Sequence, residues 1–248
     1  INRALAGRDG AIGIVVAETG GRNALIADSS ALPEQLVRDV LASAFTSAGQ
    51  RCSAARILFV QEDIADKVIT MLAGAMAELQ VGDPGLLSTD VGPVIDDEAL
   101  KMLDEHAARM DKEAKLIAQA PARDGLEHGS YFLPKAWELK SLDQLDHEKF
   151  GPALHVIRWK SSQLDQVIDA ITATGYGLTL GIHSRIDETV DHIVARARVG
   201  NVYVNRNQIG AVVGVQPFGG RGLSGTGPKA GGPHYLPRFA TEKTVTID

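Results

Sequence analysis

Short apolar runs and amphipathic stretches with helical spacing take turns along this chain. A chain patterned that way folds as an α/β structure around a largely parallel sheet. The strand-like runs are Ile12 to Ala17, Ile57 to Val60, Lys115 to Ala118, Leu154 to Trp159, Leu178 to His183 and Asn201 to Asn205. Between the first two, Leu36, Val37, Val40, Leu41, Ala44 and Phe45 form one apolar helical stripe. Asp28, Ser29 and Ser30 offer N-caps for that helix, Pro33 suits its first turn, and Gly49 ends it. Further helices are predicted over Ile64 to Leu79, Asp97 to Lys112, Gln163 to Ala173 and Asp187 to Arg198.

The last forty residues break the pattern. Gly210 to Gly232 is dense in glycine and poor in helix formers, which predicts a long, shaped loop. Its apolar Val212, Val213, Val215 and Phe218 argue that the loop is ordered. Glu242 to Ile247 alternates polar and apolar residues and reads as an exposed strand, which wants a partner such as another subunit.

Composition removes several classes of function. A net charge of −6, with no basic run, argues against a nucleic-acid partner. No apolar stretch approaches the roughly 20 residues that span a bilayer. A single cysteine cannot close an internal disulfide, which points to a reducing, cytoplasmic setting. The opening residue is Ile1, and the expectation is a piece of a longer chain.

That single cysteine, Cys52, follows a predicted helix end and a glycine, among polar neighbours. It is either an inert buried filler or a nucleophile. As a nucleophile it would act on carbonyls, with Arg51 favouring the thiolate. Glu18 follows the Ile12 to Ala17 run at what would be a carboxyl sheet edge, where ligands bind in open α/β sheets. It is a solvated turn residue, or a partly buried carboxylate able to act as general base. The seven histidines show no metal-ligand spacing and read as surface or ordinary core residues. Gly220 to Gly225 matches G-x-G-x-x-G, but no strand precedes it and no helix opens after it, so it is rejected as a dinucleotide fingerprint.

Four segments taken together resemble the signature motifs of the NAD(P)-dependent aldehyde dehydrogenase superfamily, in order and spacing. They are Ala17-Glu18-Thr19-Gly20-Gly21, Gly49-Gln50-Arg51-Cys52, Glu148-Lys149-Phe150-Gly151-Pro152 and Pro217-Phe218-Gly219-Gly220. The stretches Val204 to Asn207, Gly210 to Gly220 and Ser224 to Pro233 are similar to the glutamate semialdehyde branch. These are the Δ1-pyrroline-5-carboxylate dehydrogenases, above all the form fused to proline dehydrogenase in bacterial bifunctional proline utilisation A proteins.

The resemblance implies the following roles. Cys52 attacks the aldehyde of glutamate semialdehyde, its own N–H helps hold the oxyanion, and a thioester forms as hydride passes to NAD. Glu18 then activates water to release glutamate. Glu148, Phe150, Thr19 and Gly20 bind the cofactor, Glu148 through the nicotinamide-side ribose. Ser53 and the backbone of Gly210 and Ala211 hold the substrate carboxylate, and Phe218 lines the aldehyde pocket. Residues 1–20 would be the last part of an NAD-binding Rossmann domain, 21–220 the catalytic domain, and 221–248 a return segment with an oligomerisation strand. The phosphate-binding loop and the asparagine of the oxyanion hole would lie upstream of Ile1, so this chain alone is expected to bind NAD poorly. FAD would belong only to a fused proline dehydrogenase domain. The competing readings are a catalytically silent module, or a dehydrogenase for another small aldehyde.

Overall fold

The computed structural model describes residues 1–248. In chain order the elements begin with α1 (Asn2–Ala6), β1 (Ala24–Ala27), α2 (Pro33–Phe45), β2 (Ile57–Gln61), α3 (Glu62–Ala77), α4 (Asp97–Glu113), β3 (Lys115–Gln119) and β4 (Lys135–Leu139). They continue with β5 (Ala153–Trp159), α5 (Leu164–Ala173), β6 (Tyr176–Gly177), β7 (Thr179–His183), α6 (Asp187–Arg196), β8 (Asn201–Val204) and β9 (Arg221–Gly222).

Seven strands form one sheet in the order β3-β4-β5-β2-β1-β7-β8. All neighbours run parallel except the edge pair β3 and β4. The centre is buried throughout, with every residue of β1, β2 and β7 in the interior. That is the expected state of parallel strands covered on both faces. Helix α2 presents Leu36, Val37, Val40, Ala44 and Phe45 to this core, and α3 presents Val68, Leu72 and Met76. Helix α4 adds Leu103 and Met110.

Several expectations need correction. β1, the strand beside the middle of the sheet, carries only Ala24-Leu25-Ile26-Ala27, too short and uniform to show any period. β4 was also missed. Its Lys135 and Glu138 interrupt any apolar run, and they pair with Asp111 and Arg158. Helix α2 is capped by Leu32 with no side-chain cap, and Asp28 instead accepts the N–H and hydroxyl of Ser30. That helix ends at Phe45, after which Ser47, Ala48 and Gly49 all adopt left-handed conformations.

Ile12 to Ala17 forms no strand, and Ile12 is fully exposed, because no strand of this chain lies beside it. Residues 240–248 also carry no regular structure and are exposed. An alternating pattern becomes a strand only where a neighbour supplies the other half of the ladder. The glycine-dense segment is a loop whose two-residue strand β9 pairs antiparallel with β6. That pairing explains the G-x-G-x-x-G sequence as a turn against Tyr176 and Gly177.

Candidate active site

The parallel sheet explains why distant motifs meet. β5, β2 and β1 are neighbours pointing the same way. The segment ending at Asn23 enters β1, the segment from Gly49 to Arg56 enters β2, and the segment from Glu148 to Pro152 enters β5. All three are therefore loops at the amino ends of adjacent strands. The carboxyl edge expected at Glu18 is that of the Ile12 to Ala17 run, which forms no strand here. A surface cleft of about 680 Å³ opens at the other end of the strands, beside Lys140 and Arg158. No cysteine lines it.

Arg56 joins the three segments. Its guanidinium lies 3.1 Å from Glu148 Oε1 and donates to the carbonyls of Gly49 (2.5 Å), Gly151 (3.2 Å) and Arg51 (3.2 Å). The other Glu148 oxygen accepts the Gly21 N–H at 3.0 Å. Gly20 leaves room for that carboxylate, since a Cβ there would overlap Glu148 Oε2. Phe150 is exposed, with the Arg56 guanidinium 5.0 Å from its ring centre. Both oxygens of this carboxylate are held, one by Arg56 and one by the Gly21 N–H, in a space that only glycine leaves open, and its remaining lone pairs fit the acceptance of ribose hydroxyls.

Cys52 is half-buried in the turn before β2. Burial pushes its thiol above the ordinary value, and the Glu148 and Glu18 carboxylates add to the rise. Hydrogen bonding from the backbone N–H groups of Ser53 and Cys52 opposes the rise. Arg51 does not take the part expected of it. It is exposed, and its Nε donates to Ser47 Oγ at 3.1 Å.

Glu18 is exposed rather than partly buried, because nothing in this chain covers it, and its backbone bridges Gly225. Thr19 is tied to the same loop, by its N–H to Ser224 O (3.2 Å) and its hydroxyl to Leu223 O (2.5 Å). Ser53 is buried, and its carbonyl accepts from Thr179 and Gln208. Gly210, at φ 71°, sits beside the Arg51 guanidinium, and Ala211 follows it, half-buried.

Phe218 belongs to a separate network. Its backbone pairs with Ala230, and Asn201 fixes its neighbours by donating to Pro217 O (3.0 Å) and accepting from Gly219 N–H (3.3 Å). Lys229 closes the network on Gly200 O and Asn201 Oδ1.

Sequence reading missed Arg56, Asn23, Thr179 and Gln208. Only Arg56 left a signal, as a lone charge within the otherwise apolar Ala54-Ala55-Arg56-Ile57-Leu58. Two of the seven histidines are more than ordinary core residues: His106 and His155 are buried with their Nε2 atoms 2.9 Å apart.

Residues 2–245 match the aldehyde dehydrogenase family. The chain is 56% identical over 234 residues to the bifunctional protein PutA of Klebsiella aerogenes, covering 92% of this chain and 18% of that protein. It is 36% identical over 234 residues to the 1-pyrroline-5-carboxylate dehydrogenase of Geobacillus sp. (strain WCH70), covering 94% of this chain and 45% of the relative. A crystal structure of a mutant Bradyrhizobium japonicum Proline Utilization A superposes with a TM-score of 0.96 at 61% identity. That match covers 99% of this chain and 25% of the other. The chain thus spans less than half the length of these relatives.

Proposed function

This chain belongs to the aldehyde dehydrogenase family, and from that premise we propose that the protein carrying it oxidises L-glutamate semialdehyde to L-glutamate with NAD. The aldehyde would arise from Δ1-pyrroline-5-carboxylate, as the second step of proline catabolism. The observation that carries the reading is the meeting of the Cys52 turn and the Glu148 segment through Arg56. Relatives named for pyrroline-5-carboxylate dehydrogenase and for PutA support the substrate.

The Cys52 thiolate attacks the aldehyde carbon, and the carbonyl electrons move onto oxygen. The Cys52 N–H holds part of that developing charge. When bound, NAD supplies the hydride acceptor, and loss of hydride from the tetrahedral carbon leaves a thioester on Cys52. Glu18 takes a proton from water as that water attacks the thioester carbon, and the thiolate departs as glutamate forms. Glu148 would bind the ribose hydroxyls of the cofactor and Phe150 would pack beside its nicotinamide, with Thr19 and Gly20 lining the same approach. Ser53, Gly210 and Ala211 hold the substrate carboxylate, where small residues let backbone N–H groups approach an anion. Phe218 walls the aldehyde chain.

Residues 1–20 are read as the last part of a Rossmann cofactor domain, 21–220 as the catalytic domain and 221–248 as a return and oligomerisation segment. The setting is a bacterial cytoplasm, with a fused proline dehydrogenase domain upstream. No helix is long and apolar enough to cross a membrane. The presence of both Cys52 and Glu18 speaks against a silent module.

The test is NADH formation by the full-length protein carrying this sequence, with glutamate semialdehyde and with propanal. Turnover of the first, blocked by Cys52→Ser and inhibited by glutamate, is the expected result. Equal efficiency on propanal would overturn the substrate, and activity surviving Cys52→Ser would overturn the mechanism.

A further inference from the structure

Three buried polar side chains lie beneath the Cys52 turn, and none contributes to the chemistry described above. Asn23 Nδ2 donates to Cys52 O at 2.6 Å and to Ala54 O at 3.0 Å, while its Oδ1 accepts the Thr179 N–H at 3.2 Å. Thr179 Oγ1 donates to Ser53 O at 3.2 Å, and Gln208 Nε2 reaches the same oxygen at 3.3 Å. The three consecutive carbonyls of Cys52, Ser53 and Ala54 are therefore all held inward. The pattern also fixes how the Asn23 amide is turned, because a flipped amide would set its oxygen against two carbonyls.

The consequence follows from peptide geometry. The bond between Cys52 and Ser53 is trans, and in a trans peptide the C=O and the N–H point in opposite directions. Holding Cys52 O down against Asn23 turns the Ser53 N–H the opposite way, and hydrogen bonding from that N–H opposes the rise of the Cys52 thiol. We propose that Asn23, backed by Thr179 and Gln208, is a positioning residue for Cys52, holding the Cys52–Ser53 peptide plane so that the Ser53 N–H faces the sulfur. The proposal rests on the reading of Cys52 as the nucleophile, and it holds for any aldehyde substrate.

Two further observations support it. Asn23, Thr179 and Gln208 are all almost completely buried, and Gln208 Oε1 has no partner. Burying an unsatisfied amide oxygen costs free energy that a residue present only to pack would not incur. The amide also needs space that the sheet provides by a glycine. Gly181 is in register with Leu25 on one side and Tyr203 on the other, so all three point to the same face. A Cβ at Gly181 would lie 2.7 Å from Gln208 Oε1 and 2.8 Å from Leu25 Cγ. The gap in the side-chain row is therefore filled by the Gln208 amide.

The experiment follows iodoacetamide labelling of Cys52 against pH in the full-length protein, read by peptide mass spectrometry, beside kcat, KM and melting temperature. Asn23→Ser removes both donors to the turn. It is expected to move the labelling midpoint up by about one pH unit and lower kcat about tenfold, with KM for NAD within about twofold of wild type. Gln208→Met is expected to act in the same direction more weakly, and it decides the question if Asn23→Ser does not fold. Leu72→Ala, in the core on α3, is the control for plain instability: it is expected to lower the melting temperature without moving the midpoint. An unmoved midpoint in the variants of the turn, or an equal shift in Leu72→Ala, would overturn the proposal. Activity retained in Cys52→Ser would instead sink the nucleophile reading, and the two failures are distinct.

Discussion

Glu148 and Arg56 form a buried ion pair, 3.1 Å between Oε1 and Nη2, with side-chain exposures of only 14% and 2%. Burial outweighs the pairing for both groups: it pushes the Glu148 carboxyl up against the opposing pull of Arg56, and the Arg56 guanidinium down. A carboxylate in that condition gains from further hydrogen-bond donors, and ribose hydroxyls are such donors. The same guanidinium is bonded to the segments before β2 and β5, so the proposed cofactor anchor and the proposed nucleophile turn share one cation.

Gly20 is the first test of that arrangement. Its missing side chain leaves the space filled by Glu148 Oε2. Gly20→Ala is expected to displace the carboxylate and raise KM for NAD about tenfold, equivalent to about 1.4 kcal/mol, while kcat at saturating NAD falls far less. Steady-state kinetics with varied NAD measure this. An unchanged KM would mean that Glu148 is no ribose ligand.

Arg56 is expected to dominate stability. Arg56→Met leaves the Glu148 carboxylate buried without its cation and removes the donor to the carbonyls of Gly49, Gly151 and Arg51. Removing one partner of a buried pair costs about 3–5 kcal/mol. Urea unfolding should show a loss of that order. Arg56→Lys should recover less than half of it, because one ammonium cannot reproduce a planar fork of donors.

How much of this could be read beforehand depends on what each residue needed. Helices α2 to α6 were legible because their apolar stripes face the core, and such a stripe is written in the sequence itself. β1 was not, since Ala24 to Ala27 is buried on both faces and shows no alternation. Ile12 to Ala17 and residues 242–247 misled in the opposite sense: they have strand composition but no neighbouring strand in this chain. The motif residues Cys52 and Glu148 were visible locally. Asn23, Thr179 and Gln208 were not, because their role exists only once β1 and β7 lie side by side.

The His106–His155 pair sets the response to acid. His155 Nδ1–H donates to Arg56 O at 2.9 Å, so its Nε2 accepts from His106 Nε2–H, and both rings are neutral. Burial holds His155 down to about 4 and His106 down to about 3, from an ordinary 6.5. For a group depressed in the folded state, the stabilising contribution is complete above pH 6.5 and is lost as pH falls toward the folded value. His155, fully buried, should account for on the order of 3 kcal/mol of lost stability between pH 6.5 and 4. Denaturant unfolding as a function of pH measures the slope. His155→Leu should have lower stability at neutral pH but a shallower fall in acid, and an equally steep fall would show that the pair is not responsible.

The two carboxylates near Cys52 lead to a less expected outcome. Burial is the main cause of the raised thiol, and Glu148 and then Glu18 add to it through their charges. Removing the Glu18 charge should therefore ease thiolate formation. Glu18→Gln is expected to label with iodoacetamide about twofold faster than wild type near pH 8, since a small fall in thiol pKa raises the thiolate fraction there. The same variant should nearly stop turnover, because the amide cannot take a proton from the water that cleaves the thioester. A burst of NADH of about one equivalent per site, followed by a slow steady state, is the kinetic form this takes. Faster labelling with blocked turnover would separate the electrostatic part of Glu18 from its chemical part. Slower labelling would mean that Glu18 activates the thiol itself, and the division of labour between attack and hydrolysis would have to be redrawn.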